Sequence, residues 1–175
     1  MTKLIRAVLA HWLLWALFSA ALMLAIAHGF ETFGGLAPCT LCLKQREVYW
    51  VAGTVALVGA VVVRLSGFAR WRWAFDAALA LIFTVGLFYA VWHAGAEWKF
   101  WPGPTTCSSG GAKVDLSSLA AVANGTARVK PPACDQAAWV FLGLSMAGWN
   151  ALISLKLLVL SVLAALNDRR AGAAA

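Results

Sequence analysis

Charge is what this sequence has least of. Asp, Glu, Lys and Arg together make up 12% of its 175 residues, and only seven residues are acidic. About a quarter is usual for a soluble domain, so a water-facing surface on all sides is excluded. Residues 7–30 hold no charged side chain at all. The seven acids are outnumbered by fourteen basic residues, giving +7. No basic run with interleaved aromatics lies outside the apolar segments, so the excess does not read as a nucleic-acid surface. It reads as the basic loops that mark the cytoplasmic side of a membrane protein. Internal repeats are lacking, and the Ala-rich C-terminus is the one low-complexity tract. Cysteine is scarce too, with four in the chain.

What is there is apolar: 62% of the residues, with ten tryptophans. The run from Ala7 to Phe30 exceeds the roughly 20 residues that cross the hydrocarbon. Ala25-Ile26-Ala27 resembles a signal-peptide cleavage site, but the run is longer than an ordinary h-region and contains Trp12 and Trp15. It is expected to stay as a span. Further spans are predicted at about 46–65, 73–92 and 137–160. Near the start of the third, Asp76 is four residues from Arg72 and is expected to pair with it at the interface. Four spans place both termini on one side. Lys3, Arg6, Arg64, Arg70, Arg72, Arg169 and Arg170 all fall on that side, which is therefore the cytoplasm. The opposite side receives loops at about 31–45 and 93–136. The second loop is rich in Pro and Gly, and Asp115–Gly125 inside it reads as a short helix able to lie on the bilayer. The expected architecture is all-α: one integral membrane domain over 1–175, a four-transmembrane-helix bundle.

All four cysteines fall in these two loops. Cys39 and Cys42 form a C-x-x-C at the mouth of the second span. Such pairs close small, reducible rings and often hold a stabilised thiolate. Cys42 is expected near a positive helix N-terminus, with Arg46 one turn on as a second positive charge. Cys107 and Cys134 are 27 residues apart in the long loop. Two pairs outside the cytoplasm, where disulfides persist, permit a dithiol–disulfide relay by thiolate attack. Bracing disulfides are the plainer alternative. For Cys39 and Cys42 it is weak, because so small a ring gains little loop-closure entropy. A zinc site is disfavoured because the second pair does not form a second knuckle, so no metal is expected. Four cysteines allow three full connectivities, and spacing does not choose among them.

Cys39-Thr-Leu-Cys42 with Arg46, the loop cysteines Cys107 and Cys134, and Trp139-Val-Phe-Leu-Gly-Leu-Ser-Met146 opening the fourth span together resemble the DsbB family of bacterial inner-membrane thiol:quinone oxidoreductases. The resemblance implies disulfide bond formation with two periplasmic loops. A reduced DsbA-like thioredoxin-fold partner would form a mixed disulfide at Cys107. Cys134 would then engage Cys39, and Cys42 would be left as the thiolate facing quinone. The resemblance also implies electron transfer into the membrane quinone pool (ubiquinone or menaquinone), with Arg46 at the quinone. The alternatives are a vitamin-K-epoxide-reductase-like enzyme, whose C-x-x-C belongs elsewhere in the chain order, and a non-catalytic scaffold.

Other residues carry weaker signals. His93 ends the third span on the cysteine side and is a candidate for the quinone carbonyl or a proton. His28 is a lesser one. Glu97 reads as solvated loop charge. Trp92, Trp98, Trp101 and Trp139 read as an interfacial belt, and Asn150 as a bond between helices.

Overall fold

The computed structural model describes residues 3–65, 69–104 and 134–173. The chain begins with a short helix, α1 (Lys3–Ala10), then breaks at His11 and continues as α2 (Trp12–Thr32). It returns as α3 (Thr40–Leu65), turns through a 3-10 segment at Ala69–Trp71, and runs back as α4 (Arg72–Glu97). A two-residue hairpin, β1 (Val140–Phe141) and β2 (Leu144–Ser145), leads into α5 (Met146–Ala173). Four of these helices, α2 to α5, are long and apolar enough to cross a membrane. The fold is an all-α four-helix bundle.

The bundle packs in chain order. α2 lies on α3 and α3 on α4, and the α4–α5 contact is the broadest. Lipid offers no hydrophobic drive between helices, so close approach needs small residues at the seams. Ala16 and Ala20 of α2, Ala52 and Ala56 of α3, and Ala164 of α5 are all fully buried. At Gly59 an added Cβ would meet the Phe75 ring at 2.9 Å, and at Gly86 it would meet Val48 at 3.0 Å. Large apolar side chains such as Phe18, Leu81 and Phe88 instead face outward, where the acyl chains would be. Buried polar groups stitch the seams: Trp12 donates its indole N–H to Ser161 at 3.0 Å.

The spans differ from the sequence expectation at their ends. The first is two helices, because His11 leaves helical geometry at φ −122°, ψ 30°. α3 starts six residues earlier than expected, and α4 runs five residues further, carrying His93 and Glu97 inside the helix. The fourth begins later. The segment Trp139–Met146 does not open a helix. It forms the hairpin, with Val140 opposite Ser145 and Phe141 opposite Leu144. Leu142 (φ 50°) and Gly143 (φ 77°) make its two-residue turn, the positive-φ geometry that matches strand twist. The Leu-Gly step supplies that turn and stops the apolar run from being helical throughout. The expected helix at 115–125 and Cys107 lie outside the described residues.

At the end away from the cysteines, Arg72 pairs with Asp168 at 2.9 Å, not with Asp76 as its spacing suggested. The same guanidinium donates to the carbonyls of Leu9 at 2.9 Å and Ala10 at 2.5 Å, closing the C-terminus of α1. Asp76, fully buried, lies against Asp168. Tertiary placement of α5 decided this: a partner 96 residues further on is not visible in i,i+4 spacing.

Candidate functional site

The site lies where α2 and α4 end and α3 and α5 begin. Cys39 precedes the first residue of α3. Its carbonyl accepts the first helical N–H, from Leu43 at 3.0 Å, and its Sγ accepts the backbone N–H of Cys42 at 3.3 Å. Cys39 therefore caps α3 with its sulfur, satisfying one of the helix's orphan donors. Cys42 follows in the first turn. Both thiols are free, and Cys39 donates to Cys42 Sγ at 2.9 Å. That hydrogen bond, together with burial, pushes the Cys39 thiol well above the ordinary thiol range. The proton of the pair thus resides on Cys39, and the accepting sulfur is Cys42. A disulfide bond is about 2.05 Å, so small side-chain rotations would close the ring.

Cys134 is disulfide-bonded and fully buried. It packs in one cluster with Cys39 and Leu41, against which Cys42, Tyr89 and Trp92 also pack. The Thr40 hydroxyl lies 3.6 Å from Cys134 Sγ. The segment bearing Cys134 is tied to the end of α4 by Lys99, whose ammonium donates to the Asp135 carbonyl at 2.5 Å and to its carboxylate at 3.0 Å. Lys99 holds the Asp135 carboxyl below its usual range. The fold thus brings three of the four sequence-predicted cysteines together.

Beside the C-x-x-C is a cavity of about 360 Å³, within the size range that encloses a small ring system. Its walls are mostly apolar, from Met23, Phe30, Trp139, Phe141 and Ile153 among others. Trp139 and Phe141 stack at 5.6 Å, and Phe30 meets Trp139 at 5.2 Å. Trp139 is therefore a wall of the cavity and not only part of an interfacial belt. The polar lining is concentrated in Cys39, Cys42, Gln45, Arg46, His93 and Glu97, with Tyr49 and Asn150 deeper in.

Arg46 reaches across to α2. It pairs with Glu31 at 2.5 Å and donates to the Ala27 carbonyl at 3.0 Å, which closes the end of α2 and keeps a fixed cation in the wall. His93 belongs to a directional chain. Tyr49 donates to Asn150 Oδ1 at 2.5 Å, Asn150 Nδ2 to Gln45 Oε1 at 2.5 Å, and Gln45 Nε2 to His93 Nδ1 at 3.0 Å. Each amide uses its oxygen as acceptor and its nitrogen as donor, so the whole chain has one polarity. Nδ1 of neutral His93 is then the acceptor, and Nε2 carries the proton. Nε2 lies 3.6 Å from Cys39 Sγ and 3.6 Å from Glu97 Oε1.

Glu97 overturns its sequence reading. It is the last residue of α4, yet its side chain is only 5% exposed. The Ser145 hydroxyl, which accepts the Gly148 N–H at 3.1 Å, bonds the Glu97 carboxyl. Glu97 Oε2 is buried without a hydrogen-bond partner among the described residues. The extension of α4 past His93 turns this residue inward. Trp101 folds back beneath it: its indole donates to the Trp92 carbonyl at 2.9 Å, and its ring occupies the place of a Cβ at Gly95, 2.0 Å away. The Glu97–Ser145 pairing, Gln45 and Tyr49 carried no sequence signal. His93 and Glu97 at i,i+4 could have been read as one face. His28 is not in the cavity wall; its Nδ1 bonds the Leu24 carbonyl at 2.8 Å.

Cys39, Cys42 and His93 bring three metal-type donor atoms within 4.8 Å of one another. At 2.9 Å the two sulfurs are closer than the roughly 3.7 Å that two thiolates keep on a tetrahedral ion with Zn–S of about 2.3 Å. This spacing suits sulfur–sulfur chemistry.

A family model described as "Disulfide bond formation protein DsbB" matches residues 9–164. The chain belongs to the DsbB family. No curated protein sequence matches it. As a DsbB-family chain with four membrane-crossing helices, it is a multi-pass membrane protein of disulfide-bond formation.

Proposed function

We propose that the protein oxidises a reduced periplasmic thioredoxin-fold partner of the DsbA type and passes the electrons to membrane quinone. The observation that carries this reading is the pair of free thiols, Cys39 and Cys42, at the head of α3 and in the wall of an apolar cavity. A bracing disulfide would need neither the cavity nor the polar groups around the sulfurs.

The relay runs in three exchanges. The partner's thiolate attacks at Cys107, and resolution of that mixed disulfide leaves the partner oxidised. Cys134 hands the reducing equivalents to Cys39, an exchange that its packing in the Cys39 cluster supports. Cys42 is then the thiolate that faces the cavity. The cavity walls suit a quinone: flat aromatics at Trp139 and Phe141, a cation at Arg46 and an N–H donor at His93. A bound quinone supplies the two-electron acceptor. The chain's part is to bind the ring between aromatic walls, to aim a cation and a donor at its oxygens, and to hold the Cys42 sulfur beside it. The basic residues at the opposite end of the bundle support an inner-membrane orientation with cytoplasmic termini and periplasmic cysteines.

The test is quinone reduction by detergent-solubilised protein with a reduced thioredoxin-fold donor. Turnover is expected with the native chain and loss of at least about 1,000-fold in Cys42→Ser, on the scale of removing a nucleophile. Full turnover in Cys42→Ser would sink the reading.

A further inference from the structure

The relay uses the sulfurs, and His93 is held as a donor, but it leaves Glu97 without a task. This carboxyl is the wall group whose state the fold does not explain. Its side chain is 5% exposed, it lines the cavity, and one oxygen has no hydrogen-bond partner among the described residues. Buried polar atoms are paired in the great majority of cases, so such an exception calls for a reason. The other oxygen, Oε1, faces His93 Nε2 at 3.6 Å, and Ser145 bonds the carboxyl. These contacts hold the carboxyl in place and leave Oε2, buried beside the cavity, without a hydrogen-bond partner among the described residues. Glu97 also ends α4, next to the exposed Trp98 and Lys99. It therefore joins the cavity to the loop surface.

We propose that Glu97 is the general acid of this site, delivering a proton from the loop face to the acceptor oxygen as the Cys39–Cys42 disulfide closes. The inference rests on the quinone-reducing function above. Proton balance requires such a group. Forming quinol and a disulfide from quinone and the cysteine pair makes one S–S and two O–H bonds. Two electrons leave the sulfurs for the ring. With Cys42 as thiolate and Cys39 as thiol, the sulfurs hold one proton, which leaves as the Cys39 S–H bond breaks. The second must come from elsewhere. Glu97, in its protonated form, gives it through Oε2 and becomes a carboxylate held by His93 Nε2–H and Ser145. Water at the loop face then restores it.

The experiment follows oxidation of the pre-reduced Cys39–Cys42 pair by a short-chain quinone in a single turnover, in native protein, Glu97→Gln and Glu97→Ala. Glu97→Gln keeps the shape and hydrogen bonds but has no acidic proton, and a loss of about 100-fold is expected. Added formate or acetate should restore rate to Glu97→Ala, where the vacated space admits a small acid. A second readout needs no quinone. Infrared difference spectra between the oxidised and reduced cysteine pair should contain a protonated-carboxyl carbonyl band, shifted in D₂O and missing in Glu97→Gln. Asp76→Asn is the control. It is an equally buried carboxyl 21 residues back along α4, about 30 Å away, and should leave rate and band unchanged. An unchanged rate in Glu97→Gln overturns the proposal. So does a loss that small acids do not rescue together with an absent band, since that is the pattern of a merely structural carboxyl. Native protein that fails to reduce quinone overturns the function itself and this inference with it. Native activity with an indifferent Glu97→Gln removes Glu97 alone.

Discussion

Each end of the bundle buries a carboxyl that lacks hydrogen-bond partners among the described residues, at both oxygens of Asp76 and at Oε2 of Glu97, and the two are built for different ends. Asp76 lies against Asp168, with Arg72 shared between Asp168 and the carbonyls that finish α1. It is not in the lining of the cavity beside the cysteines. Glu97 faces a cavity that also holds two free thiols, a cation and an oriented imidazole. Burial and missing partners are common to both. What a carboxyl faces distinguishes a fastening from a reactive group. The α1–α4–α5 end is expected to govern stability, and the α3–α4 mouth to govern chemistry.

The largest way to break this separation is Arg72→Ala. It removes at once the guanidinium that pairs with Asp168, bonds two carbonyls and lies near Asp76. Breaking a buried pair from one side costs about 3–5 kcal/mol, and the partly exposed pairing here puts the loss near the lower figure. The midpoint of thermal unfolding in detergent should fall clearly, while quinone reduction per folded molecule stays at the native rate. Lower turnover at unchanged stability would show that the two ends are not separate.

This division was only half legible in sequence. The four-helix layout followed from long uncharged runs, because lipid leaves no other way to satisfy the backbone. The cysteine positions and Arg46 followed from the C-x-x-C and helical spacing. The Trp139–Met146 hairpin did not, because its residues are as apolar as a span, and only the positive φ at Leu142 and Gly143 separates them. Glu97 was misread because its fate depended on where α4 ends, and helix ends are the least determined feature of an apolar run. The Tyr49–Asn150–Gln45–His93 chain joins three helices. Its members are up to 105 residues apart, so no local pattern could announce it.

Within the chemical end, Tyr49→Phe tests whether the polar chain orients His93. The substitution removes the donor that fixes the Asn150 amide, and the cost in stability should be small, about 0.6–1 kcal/mol. If the chain matters for chemistry, turnover should fall several-fold more than the stability loss accounts for, at little change in apparent quinone affinity. An effect on affinity alone would place Tyr49 in the binding wall. Equal turnover would mean that Gln45 holds His93 without help.

The smallest effect is expected at Lys99, where the exposed pair with Asp135 holds the Cys134 segment on the end of α4. Exposed ion pairs contribute about 0.2–1 kcal/mol, so Lys99→Ala should barely move the unfolding midpoint. Its consequence should appear in the exchange between loop and C-x-x-C. That step should slow a few-fold, while direct oxidation of a pre-reduced Cys39–Cys42 pair by quinone keeps its rate. Acid should mimic the substitution. Lys99 holds the Asp135 carboxyl below its usual range, so the tie is present at neutral pH and is lost as pH falls beneath the ordinary carboxylate range. Proteolysis of the segment around Asp135, followed against pH, should therefore accelerate on acidification in native protein and be fast and flat in Lys99→Ala. A native profile already flat would show that the disulfide at Cys134, not the ion pair, positions this segment. The chemical end would then owe its geometry to covalent constraint as well as to helix packing.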